Sequence, residues 1–287
     1  VSNTVTTIAA AFAAARTSIP PAEARLLLGH VLGCSSAWLE AHREAALTPQ
    51  QLAAFAGLVE RRAAGEPVAY LLGTREFYGR DFAVTSAVLI PRPETELLVD
   101  VALAKVGAGK TAISTTCILD LGTGSGCIAI TLALELPGAR VTAVDVAPPA
   151  LEVARVNAQL LGASVDLLAS DWFAALPEKR FDFIVANPPY VAAGDPHLRS
   201  GDLRFEPLDA LTDQADGLAA LRHIVATAPR WLKPGGSLFF EHGFDQAAAV
   251  FDLLVAAGFS GIEQHRDLAG IVRVSVGSLL DPILPSD

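Results

Sequence analysis

Apolar positions along this chain change period near residue 74. Before it they recur at helical spacing. Val5, Ile8 and Phe12 share one face, and Ala24, Leu27, Leu28, Val31 and Leu32 share another after Pro20-Pro21. A third helix opens at Thr48-Pro49-Gln50-Gln51, with Thr as N-cap, Pro at the first helical position and Gln three residues after the cap. Leu52, Phe55 and Val59 line its apolar face, and a short helix through Trp38 and Leu39 fits between 36 and 46. Gly65-Glu66-Pro67 ends this helical bundle. His30 and His42 are isolated and read as packed or solvated side chains.

Residues 75–90 then read as a β-hairpin with its turn near Thr85-Ser86. Pro91 and Pro93 make a stiff entry into a helix over 97–106, whose acidic start suits a helix N-terminus, and 107–116 reads as a surface loop. From Cys117 onward, short apolar runs alternate with helical segments. Strands are expected at 117–120, at 140–144 (running into Asp145), at Val165–Ala169, at Phe181–Ala186 and at 237–241. Helices are expected at Cys127–Glu135, Pro148–Leu161, 215–231 and 245–257, with Lys233-Pro234-Gly235-Gly236 as a stop signal after the third. Strands at 262–265 and 271–276 form a closing antiparallel pair. The alternation specifies an α/β fold with a largely parallel sheet, the strand at 181–186 lying beside the strand at 117–120.

Chemistry concentrates where strands end. Leu121-Gly122-Thr123-Gly124-Ser125-Gly126 joins a strand to a helix, so backbone there can approach a ligand closely. Its G-x-G-x-G spacing is neither the dinucleotide fingerprint nor a Walker loop, and a plain tight turn also fits it. Asp145, about 20 residues on, stands where an acid accepts from both hydroxyls of a ribose. Ser170-Asp171-Trp172-Phe173 follows the third strand. Asp171 and Trp172 suit an adenine amino group and ring face, or equally a helix cap and a packed aromatic. Asn187-Pro188-Pro189-Tyr190 ends the fourth strand as a rigid, acceptor-rich corner beside a flat ring. It reads as a Pro-rich turn or as a holder for a planar NH2 group. A nucleoside layout and such a corner facing one crevice is more specific than either alone.

Composition narrows this further. The 287 residues are 52% hydrophobic, largely through Ala-rich helices, and no apolar run reaches transmembrane length. Residues 8–15 lack a preceding basic segment and read as an amphipathic helix, not a signal peptide. Cys34, Cys117 and Cys127 are odd in number and lack metal-type spacing, which fits a reducing compartment without disulfides. A formal net charge of −10 argues against an extended nucleic-acid footprint. Val at position 1, no Met and an excess of Arg over Lys fit an alternative start codon in a GC-rich bacterial genome.

These residues resemble the release-factor glutamine N5-methyltransferases, the HemK family. The resemblance runs nearly end to end, through 66–73, 76–79, Ile90-Pro91-Arg92-Pro93-Glu94-Thr95-Glu96, Asp120–Gly126, 170–173, Asn187–Tyr190, Phe205-Glu206-Pro207 and Asp216-Gly217-Leu218. The Asn-Pro-Pro-Tyr corner is shared with amino-methylating enzymes generally, whereas the Pro-Arg-Pro-Glu-Thr-Glu stretch with a helical N-terminus is far more selective. Two departures stand out: His242 where an aliphatic residue is commoner, and Thr212-Asp213-Gln214 in place of a Gly-containing turn.

The resemblance implies a seven-stranded, Rossmann-like class I methyltransferase domain over 93–287, a β-hairpin connector over 74–92 and a helical substrate-recognition domain over 1–73. It implies S-adenosyl-L-methionine as methyl donor, with S-adenosyl-L-homocysteine as product, held by Gly122, Thr123, Gly124, Ser125, Gly126, Asp145, Asp171, Trp172 and Asn187. It implies as substrate the Gln of the Gly-Gly-Gln loop of class-1 peptide chain release factors, gripped by Asn187, Pro188, Pro189 and Tyr190. Of these, Asn187, Pro188 and Tyr190 would carry the catalysis. No metal, membrane or direct nucleic-acid binding is expected, and the location is cytoplasmic. The rival readings are a ribosomal-protein glutamine methyltransferase, an adenine-N6 nucleic-acid methyltransferase acting on a flipped base, and a non-catalytic S-adenosylmethionine-binding scaffold.

Overall fold

A computed structural model describes residues 6–108 and 115–280. The chain divides into two compact units, Val1–Thr74 with Arg199–Phe205, and Arg75–Leu198 with Glu206–Asp287.

Among the described residues the first unit is built on the α-helices α1 (Ile8–Ala15), α2 (Pro21–Leu32), α3 (Ser36–Ala41), α4 (Pro49–Ala63) and α5 (Val68–Leu72). Ile8, Leu27, Leu28, Leu39, Phe55 and Leu71 meet in its core. The N-terminus of α4 carries the reciprocal cap expected from its sequence, the Gln51 amide donating to Thr48 Oγ1 (3.2 Å) and the Thr48 amide to Gln51 Oε1 (2.9 Å). The bundle does not end at Gly65-Glu66-Pro67: Pro67 instead starts α5, which adds Leu71 to the core. Val5 of the expected first face lies outside the described residues. Arg199–Phe205, distant in sequence, joins this unit through Arg62, whose guanidinium reaches Glu23 (2.7 Å) and Asp202 (2.8 Å).

The second unit starts with a two-stranded hairpin, β1 (Thr74–Phe77) and β2 (Arg80–Ala83). Its turn is Tyr78-Gly79, not Thr85-Ser86, and residues 88–90 are not a strand. Both turn residues have positive φ, 53° and 72°, the type I′ geometry that suits strand twist. Tyr is a poor candidate for that conformation. It is tied in place by its amide to Glu96 Oε1 (2.9 Å) and its hydroxyl to Asp100 (2.8 Å). A 3-10 turn at Pro93–Thr95 leads into α6 (Glu96–Ala108). The loop expected over 107–116 lies mostly outside the described residues.

The main sheet comprises β3 (Cys117–Leu121), β4 (Arg140–Asp145), β5 (Val165–Ala169), β6 (Phe181–Ala186), β7 (Leu232–Glu241), β8 (Ser260–Arg266) and β9 (Val272–Ser278). Their spatial order is β5-β4-β3-β6-β7-β9-β8, parallel except at β9. Between the strands run α7 (Cys127–Glu135), α8 (Pro148–Leu161), the short α9 (Leu208–Leu211), α10 (Ala219–Thr227) and α11 (Ala247–Ala256). Successive strand residues point to opposite faces. Ile118, Val185 and Phe239 pack with Leu98, Ala129 and Ile130 of α6 and α7. Their neighbours Leu119, Ile184 and Leu238 pack with Leu221, Ile224 and Leu254 of α10 and α11. Both sheet faces are therefore covered, which is why the central strands are apolar on both sides apart from Asp120 and Asp182.

Two further expectations are corrected. The helix at 215–231 shortens to α10. The Asp213 carboxylate takes the amides of Ala215, Gly217 and Ala219 and wraps 213–218 into a loop. At the other end a 3-10 turn containing Pro229 takes over. The helical segment ends at Arg230, before Lys233-Pro234-Gly235-Gly236 as expected, but β7 starts at Leu232, not Ser237, and includes those four residues. The register jumps there from Phe181↔Leu232 to Phe183↔Ser237, so the excess residues bulge and Pro234 needs no ladder hydrogen bond. Among the described residues no helix is long and apolar enough to cross a membrane.

Removing the Thr48 hydroxyl leaves an α4 amide without its cap. Thr48→Ala should cost about 1 kcal/mol, read as a lower urea midpoint at unchanged m-value.

Candidate functional site

The register of the parallel strands sets the site. Val144, Leu121, Ala186 and Phe240 are direct partners across β4, β3, β6 and β7. The next residue of each strand path therefore stands in one row at the carboxyl edge: Asp145, Gly122, Asn187, Glu241. The chain reverses its winding at β3, so this row borders the crevice where open α/β sheets bind ligands. A cavity of about 250 Å³ opens there. It brings together Gly122, Thr123, Gly124, Ser125, Asp145, Asp171, Trp172, Asn187 and Pro189 of the sequence-predicted set. Gly126, Pro188 and Tyr190 are not among the residues lining it.

Glycine is required at two points of the loop after β3. Gly126 caps α7 at φ 82°, and a Cβ there would lie 2.7 Å from Ile130 Cδ1 and 3.2 Å from Ala154 Cβ. Gly122, at φ 71°, faces the Trp172 ring, which a Cβ would meet at 3.5 Å. A side chain at 122 would thus begin to fill the cradle. The loop is tied down from below. The Gly122 and Thr123 amides donate to the Val144 carbonyl (2.9 Å each), and the Thr123 hydroxyl donates to Asp120 Oδ2 (2.7 Å). Asp120 is fully buried, and burial pushes its carboxyl up to about 7 against the opposing pull of that hydroxyl.

Asp145 holds Gly124 N–H on Oδ2 (2.8 Å) and Ala147 N–H on Oδ1 (2.9 Å). Each oxygen keeps a second lone pair for a ligand hydroxyl. Trp172 stands at φ 47°, a costly conformation for a bulky side chain. It is sustained by Ser170, whose hydroxyl donates to the Trp172 carbonyl (2.9 Å) and accepts the Ala175 amide (3.0 Å). Asp171 is exposed at the cavity wall.

At the corner, Asn187 is half-buried and Pro188 buried. Among the described residues, the hydrogen bond of the Asn187 side chain runs from Nδ2 to Thr95 Oγ1 (3.1 Å), leaving Oδ1 unspent, and none uses the Pro188 carbonyl. The Thr95 hydroxyl donates to Glu241 Oε2 (2.7 Å), and the Tyr190 hydroxyl donates to Glu241 Oε1 (2.9 Å). Burial raises the Glu241 carboxyl, opposed by these two donors, and burial followed by the Glu241 charge raises the Tyr190 phenol. Gln246 donates to the Tyr190 and Gly217 carbonyls (3.0 Å each), fixing the backbone behind the ring.

Several contributors were missed in the sequence. From the sequence alone Thr95 reads as part of a helix start, and Glu241 as the end of a strand. Asn157 of α8 is fully buried and ties the glycine loop to the hairpin, donating to the Ser125 carbonyl (2.8 Å) and accepting the Ala83 amide (2.7 Å). A polar amide on the otherwise apolar buried face of this amphipathic helix is its only signal. Glu206 is buried, pairs with Arg92 and accepts the Ile90 amide (2.9 Å), holding the segment that carries Arg92 and Thr95 to the cavity wall. Among the described residues no group of three or more His, Cys, Asp or Glu could hold a metal ion.

The family profile described as "PrmC N-terminal domain" matches residues 4–73, and that described as "Methyltransferase small domain" matches 95–201. The release factor glutamine methyltransferase of Bordetella pertussis is 55% identical over 262 residues, 91% of this chain and 96% of the relative. The enzyme of the same name from Burkholderia pseudomallei is 53% identical, covering 90% of this chain and 91% of the relative. Among solved structures, a methyltransferase from Pyrococcus furiosus shares the fold, with a TM-score of 0.54 and 17% identity over 78% of this chain and 98% of that one. With more than half its residues shared along nearly the full length of such a relative, the chain belongs to the release factor glutamine methyltransferase family.

Proposed function

We propose that this chain transfers a methyl group from S-adenosyl-L-methionine to the side-chain amide nitrogen (N5) of the Gln in the Gly-Gly-Gln loop of class-1 peptide chain release factors. The observation that carries this reading is the unspent acceptor pair, Asn187 Oδ1 and the Pro188 carbonyl, at a corner in register with the glycine loop. The B. pertussis and B. pseudomallei names support the substrate. The helical unit over 1–73 is read as recognising the factor, the segment 74–92 as a connector, and 93–287 as the methyltransferase domain. A cytoplasmic location fits a substrate of the translation apparatus.

The residues suit the methyl donor. Gly122 leaves a cradle that any side chain would begin to fill, and Asp145 retains a free lone pair on each oxygen for a ribose. Trp172 and Asp171 stand on the same wall for the adenine ring and its amino group, with Thr123, Gly124 and Ser125 along the loop. When bound, S-adenosylmethionine supplies a strongly electrophilic methyl group and a neutral leaving group.

An amide nitrogen is a poor nucleophile because its lone pair is delocalised into the carbonyl. The corner's work is therefore alignment. Asn187 Oδ1 and the Pro188 carbonyl accept the two amide hydrogens, which aims the nitrogen and raises its electron density. Pro189 and Tyr190 complete the grip, the Tyr190 ring lying against the amide plane. As the nitrogen gains positive charge both acceptors bind it more strongly, so they favour the transition state over the ground state. The proton then leaves to water.

Labelled S-adenosylmethionine should mark purified release factors on the Gly-Gly-Gln glutamine alone, and its change to alanine should abolish the label. Labelling of ribosomal proteins instead would move the enzyme to the sister substrate. Asn187→Ala should lower kcat by roughly 10²–10³-fold, as loss of a preorganised transition-state group does; undiminished turnover would remove the corner from the mechanism. Asp145→Ala should weaken S-adenosylmethionine binding by roughly 10–100-fold in calorimetry, the worth of charge-assisted hydrogen bonds. An unchanged Kd would exclude the ribose contact.

A further inference from the structure

Asn187 can serve as an acceptor only if its amide is turned the right way. Rotated by half a turn, the same side chain would present Nδ2, a donor, to a substrate group that offers only donors. The two orientations have nearly the same shape, so packing alone chooses poorly between them. Something polar must choose.

Glu241 provides that choice. A carboxylate accepts and never donates. Its Oε2 therefore takes the single proton of the Thr95 hydroxyl, at 2.7 Å. With that proton committed, Thr95 Oγ1 has only lone pairs left, and its neighbour Asn187 must offer a donor. Nδ2 does so at 3.1 Å, and Oδ1 is left on the opposite side of the amide. The other carboxylate oxygen takes the Tyr190 hydroxyl at 2.9 Å, so both polar side chains of the corner are referenced to one anion. The strand pairing Ala186↔Phe240 brings this anion beside the corner, because Glu241 and Asn187 each follow a partner in that pair. Both groups upstream of Asn187 are shielded: Glu241 is 1% and Thr95 2% exposed. Water is thus kept from competing for the chain. An ionised carboxylate so deeply buried costs stability unless donors satisfy it, and an apolar residue would pack the strand end more cheaply. Its presence here answers a need for polarity, not for packing.

We propose that Glu241 is a positioning residue for methyl transfer: its carboxylate gives direction to a hydrogen-bond chain through Thr95 that turns Asn187 so that the amide oxygen, not the nitrogen, meets the substrate. This rests on the reading of Asn187 as the substrate-amide acceptor given above.

Thr95→Val keeps the shape of the side chain and removes the link. It should lower kcat about 10–100-fold while the S-adenosylmethionine Kd stays within about threefold, because the loss is one of alignment. Thr95→Ser restores the hydroxyl and should rescue most of that loss. Glu241→Gln should lower kcat in the same range, and combined with Thr95→Val it should be no worse than the worse single variant, since both break one chain. A purely structural role would instead lower kcat, cofactor affinity and melting temperature together, and Thr95→Ser would not separate from Thr95→Val. Either that pattern or a Thr95→Val enzyme within twofold of wild-type kcat overturns the proposal. If Glu241→Gln does not fold, the two Thr95 variants decide alone. The side-chain amide signal of Asn187 in ¹⁵N spectra supplies a readout independent of turnover. Its hydrogens should be protected from exchange in wild type and in Thr95→Ser, and lose that protection in Thr95→Val. If wild type labels no glutamine, the function proposed above fails, and this spectrum still decides: unchanged protection in Thr95→Val overturns the orienting chain, and lost protection supports it.

Discussion

Four parallel strands end level with one another, and the rest of the site depends on that alignment. Asp145, Gly122, Asn187 and Glu241 follow four residues that are direct partners across β4, β3, β6 and β7. No loop has to search for this arrangement, because the backbone ladder sets it before any side chain is placed. A slip of one residue in any strand would turn its side chains to the other face. The mostly apolar strand interiors guard against that, since each face buries its own set of residues against its own helices.

Behind and around that row the unit places much of its buried polarity. Asp120 lies inside the sheet and Glu241 closes the end of β7, both fully buried and both held by hydroxyl donors, Thr123 in one case and Thr95 with Tyr190 in the other. Each acid stiffens one wall of the crevice: Asp120 steadies the glycine loop and Glu241 the Asn-Pro-Pro-Tyr corner. Asn157 and Gln246 do the same with neutral amides, holding the Ser125 and Tyr190 carbonyls. The strained backbone of Trp172 is sustained by the same kind of local bonding through Ser170. The crevice is thus preorganised by groups that stand behind it.

That division explains what the chain's letters disclose. The strands, the order of β3 and β6, the glycine loop and the corner were legible because each has a local cause: an apolar run, a glycine that must take positive φ, a proline that stops a strand. The α4 cap was legible for the same reason. The hairpin turn at Tyr78-Gly79 was not, because its conformation is held by Glu96 and Asp100 from a helix some twenty residues on. Nor was the bulge at Lys233–Gly236, which depends on what β6 offers opposite it. The stretch that carries Thr95 stands out in the sequence, but the roles of Thr95, Asn157 and Glu241 do not, because their partners lie far along the chain.

The placement of Arg199–Phe205 bears on how such a protein can be rebuilt. These residues follow the corner by only a few positions, yet they belong with the helical unit, through Arg62 to Asp202 and through Arg204 to the Ala64 carbonyl. The chain therefore passes from one unit to the other three times. A chimaera that grafts the helical half of one relative onto the catalytic half of another cannot be made with a single splice at residue 74. It must carry a second, internal cassette of seven residues, or Arg62 and Asp202 will come from different parents.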